Sequence, residues 1–147
     1  MSNSPLPPQA EGTERCLLRG EYPALAQLAA WCEHLAGSHS LSPSCAHAVD
    51  LCLSELVTNV IDYAYPAAGS ASIVVDADGS DGTLTITLWD AGPAFNPLQT
   101  TPPPAPTDLS TVRIGGLGVE LVRRFSRVVS YSREGNWNRL CFTPAGQ

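Results

Sequence analysis

Apolar residues recur at helical spacing in two segments of the first half of the chain. The first segment predicts a helix that begins at Pro23 and ends at Gly37, since proline is favoured in a first turn and glycine ends helices. The second predicts a helix that Ser42 caps, with Pro43 in its first turn, and that runs to about Ala64. Both helices are amphipathic and therefore pack on a core.

Alternation of apolar and polar residues predicts strands in most of the rest. The segments SIVVDAD and TLTITLWD, separated by a turn of glycine, serine and aspartate, predict an antiparallel hairpin. A third helix is expected from GVELVRRF, followed by a hairpin of RVVSYS and WNRLCFT, and residues 15–19 form a short edge strand. This order predicts an α+β fold, a two-layer α/β sandwich in which a mostly antiparallel, mixed sheet is backed by helices on one face.

The composition predicts one globular domain. Of the 147 residues, 44% are hydrophobic and 15% are charged, which is typical of a compact core. The proline-rich start, residues 1–13, is expected to be a disordered tail, and residues 14–147 a single domain. The net charge of −6, with no basic run longer than Arg123-Arg124, argues against a nucleic-acid partner.

The start of the chain has no secretory signal, and nowhere is an apolar run long enough to span a bilayer. We therefore expect a cytoplasmic protein without a membrane partner. The five cysteines are odd in number and form no Cys-x-x-Cys pair, so reduced, buried thiols are favoured over disulfides.

The second helix carries polar residues opposite its apolar stripe. The stripe repeats at three- and four-residue spacing and contains Val49, Cys52, Leu53, Leu56, Val57, Val60 and Ala64. Glu55 and Asn59 lie on the other side, one turn apart, so their side chains are neighbours. Such a face can be an ordinary solvated surface, or it can be the floor of a site.

A second polar candidate ends a core strand. By the period of two, Asp90 shares a strand face with Leu84, Ile86 and Leu88, which must pack on the helices. An inward carboxylate needs a hydrogen-bond partner, because burying it alone costs several kcal/mol. It can be a structural residue that caps the following Asp-Ala-Gly-Pro turn, or it can bind a ligand.

A long proline-rich connection, about residues 93–118, separates the hairpins. A connection of this length inside a compact domain is usually functional, and we interpret it as a lid. It ends in Gly115, Gly116 and Gly118 at the start of a helix, where free backbone N–H groups and the helix dipole favour phosphate. The alternative is a hinge. No Gly-Lys-Ser/Thr follows, so this is not a Walker A loop.

Taken in order, these motifs resemble the Bergerat-fold (GHKL) ATPases. Glu-x-x-x-Asn on a long helix, Asp-x-Gly at a strand end, a proline-rich lid and Gly-Gly-x-Gly at a helix start match that family over nearly the whole chain. Within it, ELVTNVIDYAY, DAGPAFNP and GGLGVELVRR are most similar to the anti-sigma-factor serine kinases of the RsbW/SpoIIAB type. The small size agrees with that type.

The resemblance implies roles for the polar residues. Asn59 is expected to hold Mg2+ between the phosphates of ATP, and Glu55 to act as the general base toward a hydroxyl. Asp90 is expected to accept the exocyclic amine of adenine, with Gly92 keeping the backbone close to the base.

The resemblance implies that the glycine-rich turn binds the phosphates of ATP. Gly116 and Gly118 are expected to hold phosphate oxygens, with Gly115 in the same loop. Arg113 is the candidate for the terminal phosphate.

Three positions depart from this pattern. Ala94 replaces the last glycine of the family's Asp-x-Gly-x-Gly, Tyr63 stands where many members have histidine, and Asp62 where some have a basic residue. An extra carboxylate near the site weakens phosphate binding unless it points away. A support for adenine from the last strands is unassigned, with Asn138 as a candidate.

The function implied by the resemblance is transfer of phosphate from ATP to a serine of a STAS-domain anti-anti-sigma protein. The same protein would sequester a sigma factor or another regulator and would be a homodimer. An alternative is an ATP-dependent binding module that holds a partner without catalysis. A histidine-kinase catalytic domain cut from a longer chain is less favoured, because the sequence begins with Met1.

Overall fold

An antiparallel sheet forms one layer of the structure and helices form the other. The computed structural model describes residues 5–64, 72–80, 82–99 and 117–147. Its elements are β1 (Thr13–Arg19), α1 (Ala24–Ser38), α2 (Pro43–Asn59), a π-helical turn (Val60–Ala64), β2 (Ser72–Asp78), β3 (Thr85–Asp90), a 3-10 turn (Pro97–Gln99), α3 (Leu117–Phe125), β4 (Ser126–Glu134) and β5 (Trp137–Pro144).

The described strands form one five-stranded sheet in the order β1-β2-β3-β5-β4. Every pairing among them is antiparallel. The two predicted hairpins are present, and β1 lies at the sheet edge as expected, although it begins two residues earlier than predicted, at Thr13. The predicted two-layer α+β sandwich is therefore confirmed.

Helix α2 begins as the sequence predicts. The hydroxyl of Ser42 accepts a hydrogen bond from the backbone N–H of Cys45 at 3.2 Å, and Pro43 occupies the first turn. This satisfies one of the N–H groups that a helix start leaves without a partner.

Helix α1 ends later than predicted. It passes through Gly37, and the residue with a left-handed backbone is Ser40, at φ 51°. The N–H of Leu41 bonds to the carbonyl of Ala36 at 3.0 Å, and that of Ser40 to Gly37 at 3.3 Å. This is a Schellman ending, in which serine takes the position that glycine usually fills.

The main core lies between the sheet and the helices. Its fully buried members include Leu28 of α1, Leu53 and Val57 of α2, and Ile86 and Phe142 of the sheet. The π-helical turn alters the end of the predicted stripe, since Val60 is only partly buried and Ile61 is buried in its place. The wider turn rotates these residues relative to an α-helix.

The opposite face of the sheet carries a smaller apolar cluster of Val74, Trp89 and Trp137. Residues 5–12, inside the segment expected to be a disordered tail, contain no helix or strand, yet residues 5–8 lie on this outer face. The division into a tail and one domain stays a prediction. Among the described residues, no helix combines the length and hydropathy that a bilayer span requires.

Candidate functional site

Glu55 and Asn59 lie together at the C-terminal end of α2. The helix buries Leu56 and Val57 against the core, and this leaves Glu55 and Asn59 half-buried on its flank. Asn59 is the last α-helical residue before the π-helical turn. Such turns occur frequently at functional sites.

The carboxylate of Glu55 has an oxygen, Oε2, that is out of contact with solvent and receives no hydrogen bond from the described part of the chain. The amide oxygen Oδ1 of Asn59 is likewise buried. A buried carboxylate oxygen without a donor is costly, so its retention requires an explanation, and contact with a ligand is one. The position fits a group that accepts a proton from a bound hydroxyl.

Asp90 lies at the end of β3, on the face that α2 covers. Its register partner in β5 is Asn138, which is 6% exposed. The Oδ1 atom of Asp90 accepts two hydrogen bonds at 3.0 Å, one from Nδ2 of Asn138 and one from the N–H of Gly92. Its other oxygen, Oδ2, receives none from the described residues and is therefore available to a donor on a ligand.

Burial raises the pKa of Asp90 above its usual range. The hydrogen bonds from Asn138 and Gly92, and the positive charge of Arg133, act in the opposite direction. Burial is the larger effect, because it penalises the charged form of the carboxyl. A ligand that donates a hydrogen bond to this carboxylate would offset that penalty.

Asn138 also holds the chain that follows Asp90. Its Nδ2 donates to the carbonyl of Pro93 at 2.9 Å. Its Oδ1 accepts from the N–H of Phe95 at 3.2 Å, from the hydroxyl of Tyr131 at 2.6 Å and from Nη1 of Arg133 at 3.2 Å. These bonds fix residues 92–95 as one wall of the site.

The sequence indicated Asn138 only as a candidate, and it gave no role to Tyr131 or Arg133. Nη1 of Arg133 donates to the carbonyl of Gly92 at 2.8 Å, so the arginine also supports this wall. The available signal was the alternation of β5, which puts Asn138 on the inward face with Leu140 and Phe142.

The glycine-rich turn is described only at its end. Gly118 is the second residue of α3, and α3 packs against α2, so the first turn of α3 belongs to the layer that carries Glu55 and Asn59. Arg113, Gly115 and Gly116 lie outside the described residues, and their roles stay predictions.

The departures from the family pattern are partly resolved. The hydroxyl of Tyr22 donates a hydrogen bond to Oδ1 of Asp62, so one oxygen of this extra carboxylate has a partner in the segment before α1. Ala94 is exposed and belongs to the wall that Asn138 holds. Tyr63 lies in the π-helical turn, and its side chain is not among those that the structure describes.

Among the known proteins that resemble this chain are a protein kinase and a solved structure. The serine/threonine-protein kinase BtrW of Bordetella bronchiseptica is 29% identical over 113 residues, which are 77% of this chain and 80% of that protein. The crystal structure of the RsbU and RsbW domains of Rv1364c from Mycobacterium tuberculosis gives a TM-score of 0.59 at 13% identity and covers 90% of this chain. At that identity the likeness shows the fold alone, and the chain spans only 32% of that structure.

The family comparison covers most of the chain and contains the residues described above. Residues 19–143 match the histidine kinase-like ATPase domain family. The match includes α2 with Glu55 and Asn59, and the hydrogen-bonded pair of Asp90 and Asn138. The chain therefore belongs to the histidine kinase-like ATPase domain family, whose nucleotide is ATP.

Proposed function

We propose that this protein is an ATP-dependent protein serine/threonine kinase that acts in partner switching. Its substrate is a serine of a STAS-domain anti-anti-sigma protein. When that partner is phosphorylated, the kinase is free to hold a sigma factor or a similar regulator. The family supports the use of ATP, and the likeness to BtrW supports the kinase activity. The partners, and a homodimeric state, rest on the resemblance of the motifs.

The observation that carries the proposal is the buried oxygen of Glu55. A module that only binds nucleotide gains nothing from a carboxylate oxygen kept away from solvent and from every donor in the described ranges of the chain. A kinase needs such an oxygen, because the hydroxyl it phosphorylates must lose its proton as it attacks. Glu55 is one helical turn from Asn59, so the base would lie next to the metal ligand.

Asp90 would select adenine. Its Oδ2 would accept the exocyclic amine of the base, while Asn138 and Gly92 hold Oδ1 and so fix the direction of the carboxylate. A carboxylate prepared in this way needs little rearrangement when the nucleotide binds, which favours affinity.

Mg2+ would be bound by Asn59 together with phosphate and water. Among the described residues, no group of three or more histidine, cysteine or acidic side chains could hold a metal ion by itself. Magnesium in nucleotide sites commonly takes one or two protein oxygens and completes its shell with phosphate and water, so a single amide oxygen suits it.

In the chemical step this chain would position the reactants and accept one proton. Bound ATP supplies the phosphoryl group and the leaving ADP. Glu55 would accept the proton of the partner's serine hydroxyl. The serine oxygen would bond to the terminal phosphorus as the bond from that phosphorus to ADP breaks. The N–H groups near Gly118, with Gly115 and Gly116, would neutralise phosphate charge, and Arg113 would do so at the terminal phosphate.

The test is phosphotransfer by Glu55→Gln, which keeps the shape of the side chain and removes the base. The full chain is mixed with Mg2+, ATP labelled on its terminal phosphate and STAS-domain proteins encoded near its gene. We expect transfer to a serine to fall roughly 100- to 10,000-fold, the usual contribution of a general base, with ATP affinity unchanged within about threefold. Glu33→Gln, at an exposed glutamate of α1, is the matched control and should retain activity.

Nucleotide binding without transfer to any STAS protein would contradict the kinase and favour the binding module. Equal phosphate transfer by wild type and Glu55→Gln would show that Glu55 is not the general base. Transfer to a histidine of a second protein would instead favour a histidine-kinase activity.

A further inference from the structure

The outer face of the sheet holds the proline-rich start of the chain through two specific hydrogen bonds. Nε1 of Trp137 donates to the carbonyl of Pro5 at 3.1 Å, and Nη1 of Arg15 donates to the carbonyl of Pro7 at 2.7 Å. Pro7 is buried against the sheet, whereas Pro5 and Pro8 are exposed. We call residues 5–8 the proline segment and the surface beneath it the tryptophan groove, formed by Arg15, Trp89 and Trp137.

The tryptophan groove is held in shape by a buried ion pair. Nε and Nη2 of Arg15 donate to the two oxygens of Asp76 at 2.7 and 2.8 Å. Nε1 of Trp89 donates to Oδ2 of the same carboxylate at 3.2 Å, so Asp76 fixes both side chains. Bidentate pairing leaves the third nitrogen of Arg15 directed at the proline segment.

The two surfaces are chemically complementary. Prolines have no N–H, so Pro5, Pro7 and Pro8 offer only carbonyl oxygens, while the groove offers an indole N–H and a guanidinium N–H. A residue before proline is restricted to extended backbone, and this applies to Leu6 and Pro7. An extended proline segment on an aromatic surface with an indole donor is a recurring mode of peptide recognition.

The attachment is shallow. A cleft of about 420 Å³ remains between the proline segment and the sheet, lined by Trp89 and Trp137 together with Glu134 and Asn136. Leu6 is 43% exposed, so of the four residues of the segment only Pro7 is buried. A segment held by one buried ring and two hydrogen bonds can leave without disturbing the main core, which lies on the other side of the sheet.

We propose that the tryptophan groove is a binding site for proline-rich peptide segments, and that the chain's own residues 5–8 occupy it in cis. A proline-rich segment of a partner protein binds there by displacing them. This inference does not rest on the proposed kinase activity, since it concerns the opposite face of the sheet and needs no nucleotide.

The experiment compares the full chain with its Pro7→Asp variant, in which the cis segment loses its buried ring but the groove is intact. The probe is a synthetic peptide of residues 2–10, SNSPLPPQA, and the control peptide has its three prolines replaced by alanine. Binding is followed by NMR of the three tryptophan indole N–H groups, of which Trp31 lies in α1 and serves as an internal reference. Ala10→Asp adds the same charge outside the groove.

In Pro7→Asp the Trp137 indole signal should move, and saturating peptide should return it to the wild-type position. A tethered segment competes at an effective concentration of about 1 mM, so the peptide should bind wild type and Ala10→Asp about tenfold or more weakly than Pro7→Asp. Trp137→Phe added to Pro7→Asp removes the indole donor from an unoccupied groove and should weaken peptide binding relative to Pro7→Asp alone, followed by the Trp89 indole signal. The alanine peptide should not bind.

Three results would overturn the proposal. One is a Trp137 signal that is the same in wild type and Pro7→Asp. Another is peptide affinity that is equal for wild type and Pro7→Asp, or equal for the proline and alanine peptides. The third is a wild-type Trp137 signal that changes on dilution in step with dissociation of a dimer, because the segment in the groove would then come from a second copy.

Discussion

Strands β3 and β5 carry two surfaces of different chemistry back to back. On the helical side, Asp90 and Asn138 form a buried polar network. On the outer side, the adjacent residues Trp89 and Trp137 form an apolar surface beneath the proline segment. The period of two places neighbours in sequence on opposite faces, so one pair of strands supports both.

The two surfaces differ in how firmly they are held. Asn138 makes hydrogen bonds in several directions, and these fix Asp90 and the wall that follows it. The proline segment is held by two hydrogen bonds and one buried proline. A fixed polar wall suits selection of one base with little rearrangement, whereas a loosely held segment suits exchange with a partner.

The largest effect is expected from Asn138→Leu on the inner side. The substitution leaves Oδ1 of Asp90 and the hydroxyl of Tyr131 without their side-chain partner in a buried site. We expect a loss of roughly 3–5 kcal/mol in the free energy of unfolding, as for other broken buried polar networks, measured by urea denaturation. Thr143→Val, in the same strand, removes a hydroxyl contact at 3.4 Å and should cost less than about 1 kcal/mol. Equal losses for the two variants would contradict the role given to Asn138.

The second largest effect is expected in cysteine reactivity, which should differ between the core side and the outer side of the sheet. Burial raises the pKa of Cys16 and of Cys52 to about 11, and that of Cys32 to about 12, so these thiols stay protonated at pH 8. Cys141, half-buried on the outer side of β5, should react with iodoacetamide first. We expect the core thiols to react roughly 100-fold more slowly until the protein unfolds, read by mass spectrometry of digests. Early labelling of Cys52 would contradict the packing of α2.

The smallest effect concerns the stability of the protein without nucleotide as pH changes. Because the folded pKa of Asp90 is raised, its contribution to stability is present below the unfolded pKa and is lost as pH rises through the folded pKa. Asp90→Asn removes this titration while its Oδ1 can still accept from Asn138 and Gly92. The variant should therefore gain stability relative to wild type as pH rises from below 3.8. Urea midpoints measured across that range test this, and a gain on lowering pH would refute it.

Much of the fold follows from local patterns. Ser42 marks the start of α2 because a hydroxyl cap satisfies a helix end locally, and alternation in β3 is enough to place Asp90 inward. The end of α1 is less predictable, since Ser40 adopts a left-handed backbone that sequence assigns to glycine. The π-helical turn after Asn59 has no signature in the residues themselves.

The hydrogen-bond partners of the site residues come from segments that are distant in the sequence. Asn138 faces Asp90 because β5 pairs with β3, and that pairing joins strands that are not consecutive in sequence. The bond from Trp137 to Pro5 joins residues 132 positions apart. Composition describes a proline-rich tail and three tryptophans, but only the sheet order brings the tail together with two of them.

The central claim is that Asp90 selects adenine at the floor that Glu55 and Asn59 share. The most direct measurement is calorimetric titration of ATP and Mg2+ into wild type and Asp90→Asn, with Asp50→Asn, on α2, as the control. Loss of a hydrogen bond to a charged group costs about 1.5–3 kcal/mol, so we predict affinity roughly 10- to 100-fold weaker for Asp90→Asn and unchanged for Asp50→Asn. Equal affinity of wild type and Asp90→Asn, with both folded, would contradict the account.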